Sequence, residues 1–149
     1  ESAAHSFTDV PDSWCTDAVS WASANGIISG CGDGKFRPAD EITREEMAVI
    51  LMNYARYKDG TWGQVHCPTK WDSVPVPTSH LDYTDADGIS PWAEAAMKWA
   101  VTEGLITGVG NGKLDPSGFV QRAQAAAILR RWENYASNLD PAKSIKVLF

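Results

Sequence analysis

The chain has 149 residues, 44% of them hydrophobic, and a formal net charge of −6 at pH 7. This length can bury one hydrophobic core, so we expect a single domain over residues 1–149. The acidic balance argues against binding to nucleic acid or to anionic membranes, because no basic stripe can neutralise phosphates. The longest apolar run, Met47–Met52, is too short for a membrane span, which takes roughly 20 residues. No signal peptide is recognisable, so we expect a processed chain or an excised piece.

An internal repeat organises the sequence. A shift of 78 residues places Trp92 on Trp14 and aligns residues 14–56 with 92–134 without a gap. The identical positions include glycines, a proline, tryptophans and an arginine, which chance apolar similarity would not select. In the first copy they are Trp14, Ala18, Trp21, Ala22, Gly26, Ile28, Gly30, Gly32, Gly34, Lys35, Pro38, Arg44, Ala48, Ile50 and Leu51. Each copy is therefore predicted to be one supersecondary unit that stacks on its neighbour.

The first helix of each copy is predicted from its apolar spacing. An extended lead-in, whose Phe7 plugs the core and is matched by Tyr83, comes before it. The helix stripe then consists of Trp14, Ala18, Trp21 and Ala22, at i, i+4, i+7 and i+8. Gly26 and its counterpart Gly104 can end the two helices in the left-handed conformation. We expect Trp21 and Trp99 to be core residues, and Trp14 and Trp92, at the helix starts, to be partly exposed.

A glycine-rich turn and a second helix complete each copy. The glycines at alternate positions in residues 30–36 and 108–114 indicate tight turns with positive φ. Thr43 and Glu46 have the spacing of a capping box at the start of the second helix. In the second copy the cap position is Gln121, which is a weaker cap.

Two further segments lie outside the repeat. The connector 58–81 contains two glycines and three prolines, so we expect no long helix there, and its Trp62 and Trp71 suggest that it packs on the surface. Residues 137–149 form a tail in which the sequence at 138–141 stops the preceding helix.

No pattern indicates a catalytic, metal or cofactor site. Gly30–Lys35 lacks the Walker spacing, and Phe36 follows the lysine where a Ser or Thr is needed. Residues 83–94 match part of a calcium loop, but Tyr83 occupies its first ligand position. The adjacent Glu45 and Glu46 point about 100° apart on a helix and do not converge on one substrate atom. We therefore expect a protein that is not an enzyme and that holds neither metal nor cofactor.

The three cysteines leave two alternatives. Cys15 and Cys31 flank a helix of roughly 16 Å, too long for a bridge between them, so any disulfide would involve Cys67. Reduced cysteines are the other reading, and their odd number without a CxxC motif does not indicate zinc.

Arg44 and Arg122 each lie in the first turn of a helix, where the helix dipole disfavours a cation. A salt bridge could offset this conflict, and Glu45 or Glu46 is available in the first copy only. A guanidinium at a free helix N-terminus is also a site for carboxylate or phosphate. The residues alone leave the structural and the ligand-binding roles open.

The two copies resemble the S-layer homology (SLH) motif. The first resemblance is carried by Phe7–Val10, Trp14, Ala18–Val19, Gly26–Ile27, Gly30, Gly34–Phe36, Pro38 and Ile42–Glu45. The second is carried by Tyr83–Asp85, Trp92, Ala96–Met97, Gly104–Leu105, Gly108, Gly112–Leu114, Pro116 and Val120–Arg122. The family's Thr-Arg-Ala-Glu signature is replaced here by Gln-Arg-Ala-Gln at residues 121–124. The motifs are expected at 7–57, the first copy, and at 82–136, the second copy.

This resemblance implies an all-α fold of helix–loop–helix repeats in a pseudo-threefold spindle. It also implies a secreted, cell-surface module that anchors a protein to a secondary cell-wall polysaccharide, often through a pyruvate ketal. The implied ligand residues are Arg44 and Arg122 with Thr43 and Gln121 beside them, Gly30 and Gly108 at the backbone, and Asp9, Trp14, Asp85 and Trp92 in the grooves. The alternative function is a structural assembly module. Because two motifs leave one side of such a bundle open, self-association or a third motif from another chain is expected.

Overall fold

The computed structural model describes residues 6–63, 77 and 80–139. Its α-helices are α1 (Thr16–Ala24), α2 (Arg44–Gly63), α3 (Glu94–Thr102) and α4 (Arg122–Leu139), and a short 3-10 turn covers Ala86–Gly88. The described residues contain isolated β-bridges and no strand, which confirms the all-α prediction. Across those same residues, no helix combines the length and the apolar character needed to cross a membrane. The threefold spindle stays a prediction.

The chain divides into two compact units that do not coincide with the two copies. Unit 1 comprises Glu1–Glu41 and Ile50–Val74, and unit 2 comprises Ile42–Val49 and Pro75–Phe149. The first two turns of α2 therefore fold with the second copy, although they belong to the first copy in sequence. That the whole chain acts as one domain stays a prediction.

Each unit closes its first helix in the same way. In unit 1, Gly26 has a φ of +67°, and the N–H of Ile27 reaches back to the carbonyl of Ala22 at 2.9 Å. A side chain from the second helix then binds the next carbonyl, since Asn53 Nδ2 donates to Ile27 O at 3.2 Å. The counterparts in unit 2 are Gly104, Leu105, Ala100 and Arg131, with Arg131 Nη1 donating to Leu105 O at 3.2 Å. The predicted glycine helix ends are thus confirmed.

The helices α1 and α3 begin two residues later than the stripe predicts. Trp14 and Trp92 precede the helices, in turns, and are 93% and 59% exposed. In unit 1 the Thr16 hydroxyl accepts from Ser13 N at 2.9 Å, so the helix starts only after this turn. The prediction that these tryptophans are partly exposed is confirmed, and their assignment to the helical stripe is wrong.

The two core tryptophans differ in burial. Trp99 is fully buried, as predicted, but Trp21 is 46% exposed, so its assignment to the core is wrong. Each ring makes the same edge contact with the tyrosine 36 residues later, Trp21 with Tyr57 at 5.5 Å and Trp99 with Tyr135 at 5.6 Å. The rest of the helix face differs, because Ala18 on α1 is exposed whereas its counterpart Ala96 on α3 is buried.

Helix α2 extends through Gly63 and takes up the first six residues of the predicted connector 58–81. The expectation of no long helix is therefore wrong for this part. The packing of Trp62 and Trp71 and the pairing of Cys67 lie outside the described residues. Cys15 and Cys31 are free thiols. Helix α4 ends at Leu139, where the sequence predicts a stop.

Candidate functional site

The glycine-rich loop of each unit is held by an aspartate from the lead-in. The Asp9 carboxylate accepts from the N–H groups of Phe36 and Arg37, both at 2.8 Å. In unit 2, Asp85 accepts at 2.8 Å from the N–H groups of Leu114 and Asp115. The bonds from Phe36 and from Leu114 are the largest causes that lower the pKa values of Asp9 and Asp85. Both carboxylates support their loops, and their predicted role in lining ligand grooves stays a prediction.

Gly30 and Gly108 lie under the aromatic rings of the lead-ins. A Cβ on Gly30, whose φ is +70°, would lie 2.5 Å from Phe7 Cε1 and 2.7 Å from Lys35 O. A Cβ on Gly108 would lie 2.8 Å from Tyr83 Cε1. These glycines are therefore required for ring packing, whether or not a ligand also approaches the backbone.

The start of α2 is joined to the second copy's loop through its backbone. The first N–H groups of a helix have no partner within the helix. Here Arg44 N donates to Gly118 O and Glu45 N donates to Pro116 O, both at 2.9 Å. The predicted capping box is confirmed, because Thr43 N donates to Glu46 Oε2 at 2.7 Å and Glu46 N donates to Thr43 Oγ1 at 3.2 Å.

The Arg44 side chain extends this junction. It is 3% exposed, its Nε donates to Leu114 O at 2.8 Å, and its Nη2 donates to Thr107 O at 2.6 Å. Burial lowers the pKa of the guanidinium, and the charge of Asp115 opposes this shift. The partners are thus backbone carbonyls, and a salt bridge to Glu45 or Glu46 is not formed.

The third guanidinium nitrogen of Arg44, Nη1, forms no hydrogen bond with any described residue, and the residue as a whole is 3% exposed. Among the described residues no carboxylate lies within ion-pair distance of Arg44. The junction therefore holds a buried cation that no described acid contacts directly, although the charge of Asp115 favours it, and Nη1 carries two further N–H groups.

Glu45 fixes a second segment of unit 2 to the same helix start. Its carboxylate is 6% exposed and accepts from Ser90 N at 2.9 Å and from the Ser90 hydroxyl at 2.8 Å. Trp92 follows two residues after Ser90, and Gly108 follows the Thr107 carbonyl that binds Arg44. The start of α2 thus brings the predicted site residues Thr43 and Arg44 to the loop that contains Gly108 and that Asp85 supports.

The start of α4 has no such surroundings. Arg122 is exposed and has no hydrogen bond or ion pair within the described part of the chain. Gln121 N donates to Gln124 Oε1 at 3.0 Å, which retains one half of a capping box. The backbone before α4 pairs with the backbone before α2, since Val120 N donates to Ile42 O at 2.9 Å, but neither Arg122 nor Gln121 bonds to the carbonyls that receive Arg44. Gly30 and Trp14 belong to unit 1.

Sequence reasoning missed the Glu45–Ser90 pair. A signal for it exists in the comparison of the two copies, since both positions change together. Glu45 on the second helix corresponds to Ala123, and Ser90 before the first helix corresponds to Asp12. The acidic residue is therefore on the second helix in one pair of positions and before the first helix in the other.

The sequence is similar to a known family and to several cell-surface proteins. The model of the S-layer homology domain family matches residues 6–48 and 82–126, more than half of the chain. The chain is 33% identical over 139 residues to "Exoglucanase XynX" of Acetivibrio thermocellus, covering 89% of this chain and 11% of that protein. It is 29% identical over 130 residues to "S-layer protein" of Bacillus thuringiensis subsp. finitimus, covering 85% and 13%. It is 24% identical over 130 residues to "Cell surface glycoprotein 1" of Acetivibrio thermocellus, covering 87% and 5%. The chain thus spans only a small part of each relative's length, and the matches indicate a cell-surface or cell-wall location.

Proposed function

The chain belongs to the S-layer homology domain family, and we propose that it is a non-catalytic module that anchors a longer secreted protein to a secondary cell-wall polysaccharide. Relatives as different in name as an exoglucanase and an S-layer protein share this region, which makes up 11% and 13% of their length. That distribution fits an attachment module better than a catalytic one.

The junction at the start of α2 is the observation that carries this proposal. It presents an arginine without an acidic partner, beside an exposed glycine loop and next to the segment that bears an exposed tryptophan. Aromatic rings with exposed faces and a few fixed polar groups are suited to sugar binding. The site therefore combines a surface for a sugar ring with a donor for an anionic substituent.

For the anionic substituent we propose a carboxylate such as that of a pyruvate ketal. The free Nη1 of Arg44 supplies two donors at a helix N-terminus, where negative charge is favoured. Thr43 lies next to Arg44 in the chain, and its hydroxyl also contacts Glu46 at 2.9 Å.

Trp92→Ala tests the site with little risk to the fold, because Trp92 is 59% exposed and precedes helix α3. Purified cell walls are mixed with the chain at a concentration where it is monomeric, and bound protein is measured. Loss of the ring is expected to weaken binding by more than about 1 kcal/mol, the cost of truncating an aromatic side chain that carries binding energy.

Trp14→Ala is the matched control. Trp14 holds the same repeat position and is 93% exposed, but among the described residues no arginine side chain from another element donates to the carbonyls of the first copy's loop. Its substitution is expected to leave monomer binding nearly unchanged. Binding is also measured to walls stripped of polysaccharide and to walls from which only pyruvate has been removed. Equal binding to intact and stripped walls would contradict the function, and equal binding with and without pyruvate would contradict the anionic group.

A further inference from the structure

The chain contains two Asn-Gly pairs, at residues 25–26 and 111–112. In such a pair the backbone nitrogen of the glycine can attack the side-chain carbonyl carbon of the asparagine, Cγ. A C–N bond forms, ammonia leaves, and a succinimide ring results. Glycine favours this reaction because it has no side chain to hinder the approach and its backbone rotates freely. The side-chain amide and the glycine N–H must both be free of other bonds, so the structure decides which pair reacts.

The pair at 25–26 is held at the end of α1. Asn25 Nδ2 donates to Trp21 O at 2.7 Å, which fixes the side-chain amide. Gly26 N donates to Ser23 O at 3.0 Å, so the attacking nitrogen is bonded as well. Both bonds would have to open before a ring could close, and the pair is therefore protected.

The pair at 111–112 lies in a two-residue hairpin turn. Asn111 and Gly112 have φ values of +52° and +68°, and Lys113 N closes the turn by donating to Gly110 O at 3.0 Å. Two positive φ values in succession define the type I′ turn, for which Asn-Gly is a preferred sequence. Asn111 is exposed, and its side chain forms no hydrogen bond with any described residue.

The peptide group between Asn111 and Gly112 is bonded at neither end. Within the described chain, the Asn111 carbonyl accepts no hydrogen bond and the Gly112 N–H donates none. Rotation of this group converts type I′ into type II′, the other two-residue hairpin turn, and leaves the closing bond to Gly110 intact. The same rotation turns the Gly112 nitrogen toward the Asn111 side chain. Ring closure at this pair therefore does not require the turn to open.

We infer that Asn111 is a site of spontaneous deamidation through a succinimide, and that Asn25 is protected from it. Water opens the ring, so the complete reaction consumes a water molecule and releases ammonia. Opening at one ring carbonyl gives aspartate. Opening at the other gives isoaspartate, whose main chain runs through the former side chain and is longer by a methylene group. The inference rests on the turn and is independent of wall binding.

The first copy shows how the aspartate product fits, because Asp33 holds the position of Asn111. The turn there is closed by the side chain, since Lys35 N donates to Asp33 Oδ1 at 3.1 Å. The bond from the lead-in is present as well, with Thr8 N donating to Gly34 O at 3.1 Å. An aspartate at position 111 is therefore compatible with this loop and with its attachment to the lead-in.

Isoaspartate cannot keep the turn, because its extra methylene lengthens the chain between Gly110 and Lys113. Two bonds of the second copy's loop depend on this turn. Thr84 N donates to Gly112 O at 2.9 Å, and Val109 N donates to Lys113 O at 2.8 Å. Isoaspartate is therefore expected to weaken both bonds, and with them the loop that receives the start of α2.

Incubation of the full chain in mildly alkaline buffer, followed by peptide mapping with mass spectrometry, tests the site. The peptide with Asn111 is expected to gain the mass difference between a hydroxyl and an amino group. The peptide with Asn25 is expected to react about 10- to 100-fold more slowly, because two hydrogen bonds must open first. In urea the two pairs should react at similar rates. Asn111→Gly removes the reacting amide and keeps the turn, because glycine accepts a positive φ. If Asn111 reacts no faster than Asn25 in the folded chain, the inference is overturned.

The two products test the effect on the loop. The isoaspartate form is separated by chromatography and identified by labelling with a protein isoaspartate methyltransferase. Amide hydrogen exchange at Thr84 and Val109 is expected to be about tenfold faster or more in this form, because the bonds of both amides are weakened. Exchange in Asn111→Asp should match that of the unchanged chain, and Thr8 in the first copy serves as the internal control. Equal exchange at Thr84 and Val109 in the isoaspartate form and the unchanged chain overturns the effect assigned to isoaspartate.

Discussion

The starts of α2 and α4 have closely related sequences and opposite surroundings. Arg44 is 3% exposed and donates to two carbonyls, whereas Arg122 is exposed and donates to none among the described residues. The cap of α2 is reciprocal and that of α4 is formed by one bond, so the local sequence begins a helix in both places. The difference comes from the loop that receives the helix. A repeat motif of this kind therefore fixes what a helix start can donate, and another segment decides whether the donors are used.

The tryptophans of the first helices, α1 and α3, differ in the same way. Their substitution is expected to give the largest difference in the free energy of unfolding. Trp99→Ala is expected to lower the free energy of unfolding by about 3–5 kcal/mol, because a fully buried ring leaves a large cavity. Trp21→Ala is expected to cost about half as much, since Trp21 is 46% exposed and less apolar area is removed from contact. Urea titration at a concentration where the chain is monomeric measures both.

The tyrosine contact is shared by the two rings and serves as an internal control, with centroid distances of 5.5 and 5.6 Å. Equal costs for the two substitutions would mean that this contact, and not burial of the helix face, determines the role of the ring.

The arginines give the next largest difference. Arg44→Ala is expected to lower the free energy of unfolding by about 1.5–3 kcal/mol, because the buried carbonyl of Leu114 and the part-buried bond to Thr107 lose a charged donor. Arg122→Ala is expected to change the stability of the monomer by less than about 0.5 kcal/mol, as for an exposed residue without partners.

Thermal or urea unfolding of the dilute chain compares the two variants. Arg44→Lys separates charge from geometry, because an ammonium cannot reproduce the planar fork of Nε and Nη2. If Arg44→Ala is as stable as the unchanged chain, the bonds of Arg44 to Leu114 O and Thr107 O do not stabilise the fold, and only the ligand role remains for this arginine.

Much of the local structure could be predicted from the sequence, because it depends on residues close in the chain. The Thr43–Glu46 cap and the helix ends at Gly26 and Gly104 follow from such short-range rules. Burial of Trp21 could not be predicted in this way, because helical spacing identifies a stripe and does not say what covers it. The partners of Arg44 lie 63 and 70 residues away, which local patterns do not reveal.

The repeat aided the prediction of the fold, and the ligand roles that it suggested for Arg44 and Arg122 stay predictions. The two arginines hold identical positions in the copies, but the signature around Arg122 departs from that of the family at Gln121 and Gln124. The positions that differ between the copies, such as Glu45 and Ala123, carry the information about which surface each helix start can meet.

The smallest expected difference concerns the two loop aspartates at acid pH. Hydrogen bonds from backbone N–H groups lower the pKa values of Asp9 and Asp85 in the folded chain. A lowered folded pKa stabilises the loop above the unfolded value of about 3.9, and this contribution is lost as the pH falls through the folded pKa. The second copy's loop is also held by Arg44, through Leu114 O, so it should stay ordered to lower pH than the first copy's loop. Amide chemical shifts of Phe36 and Leu114, followed by NMR as the pH is lowered, would report each loop, with Asp9→Asn as the control that removes the first transition. Simultaneous loss of order in both loops, or earlier loss at Leu114, would mean that the arginine adds nothing to the support that the aspartate gives.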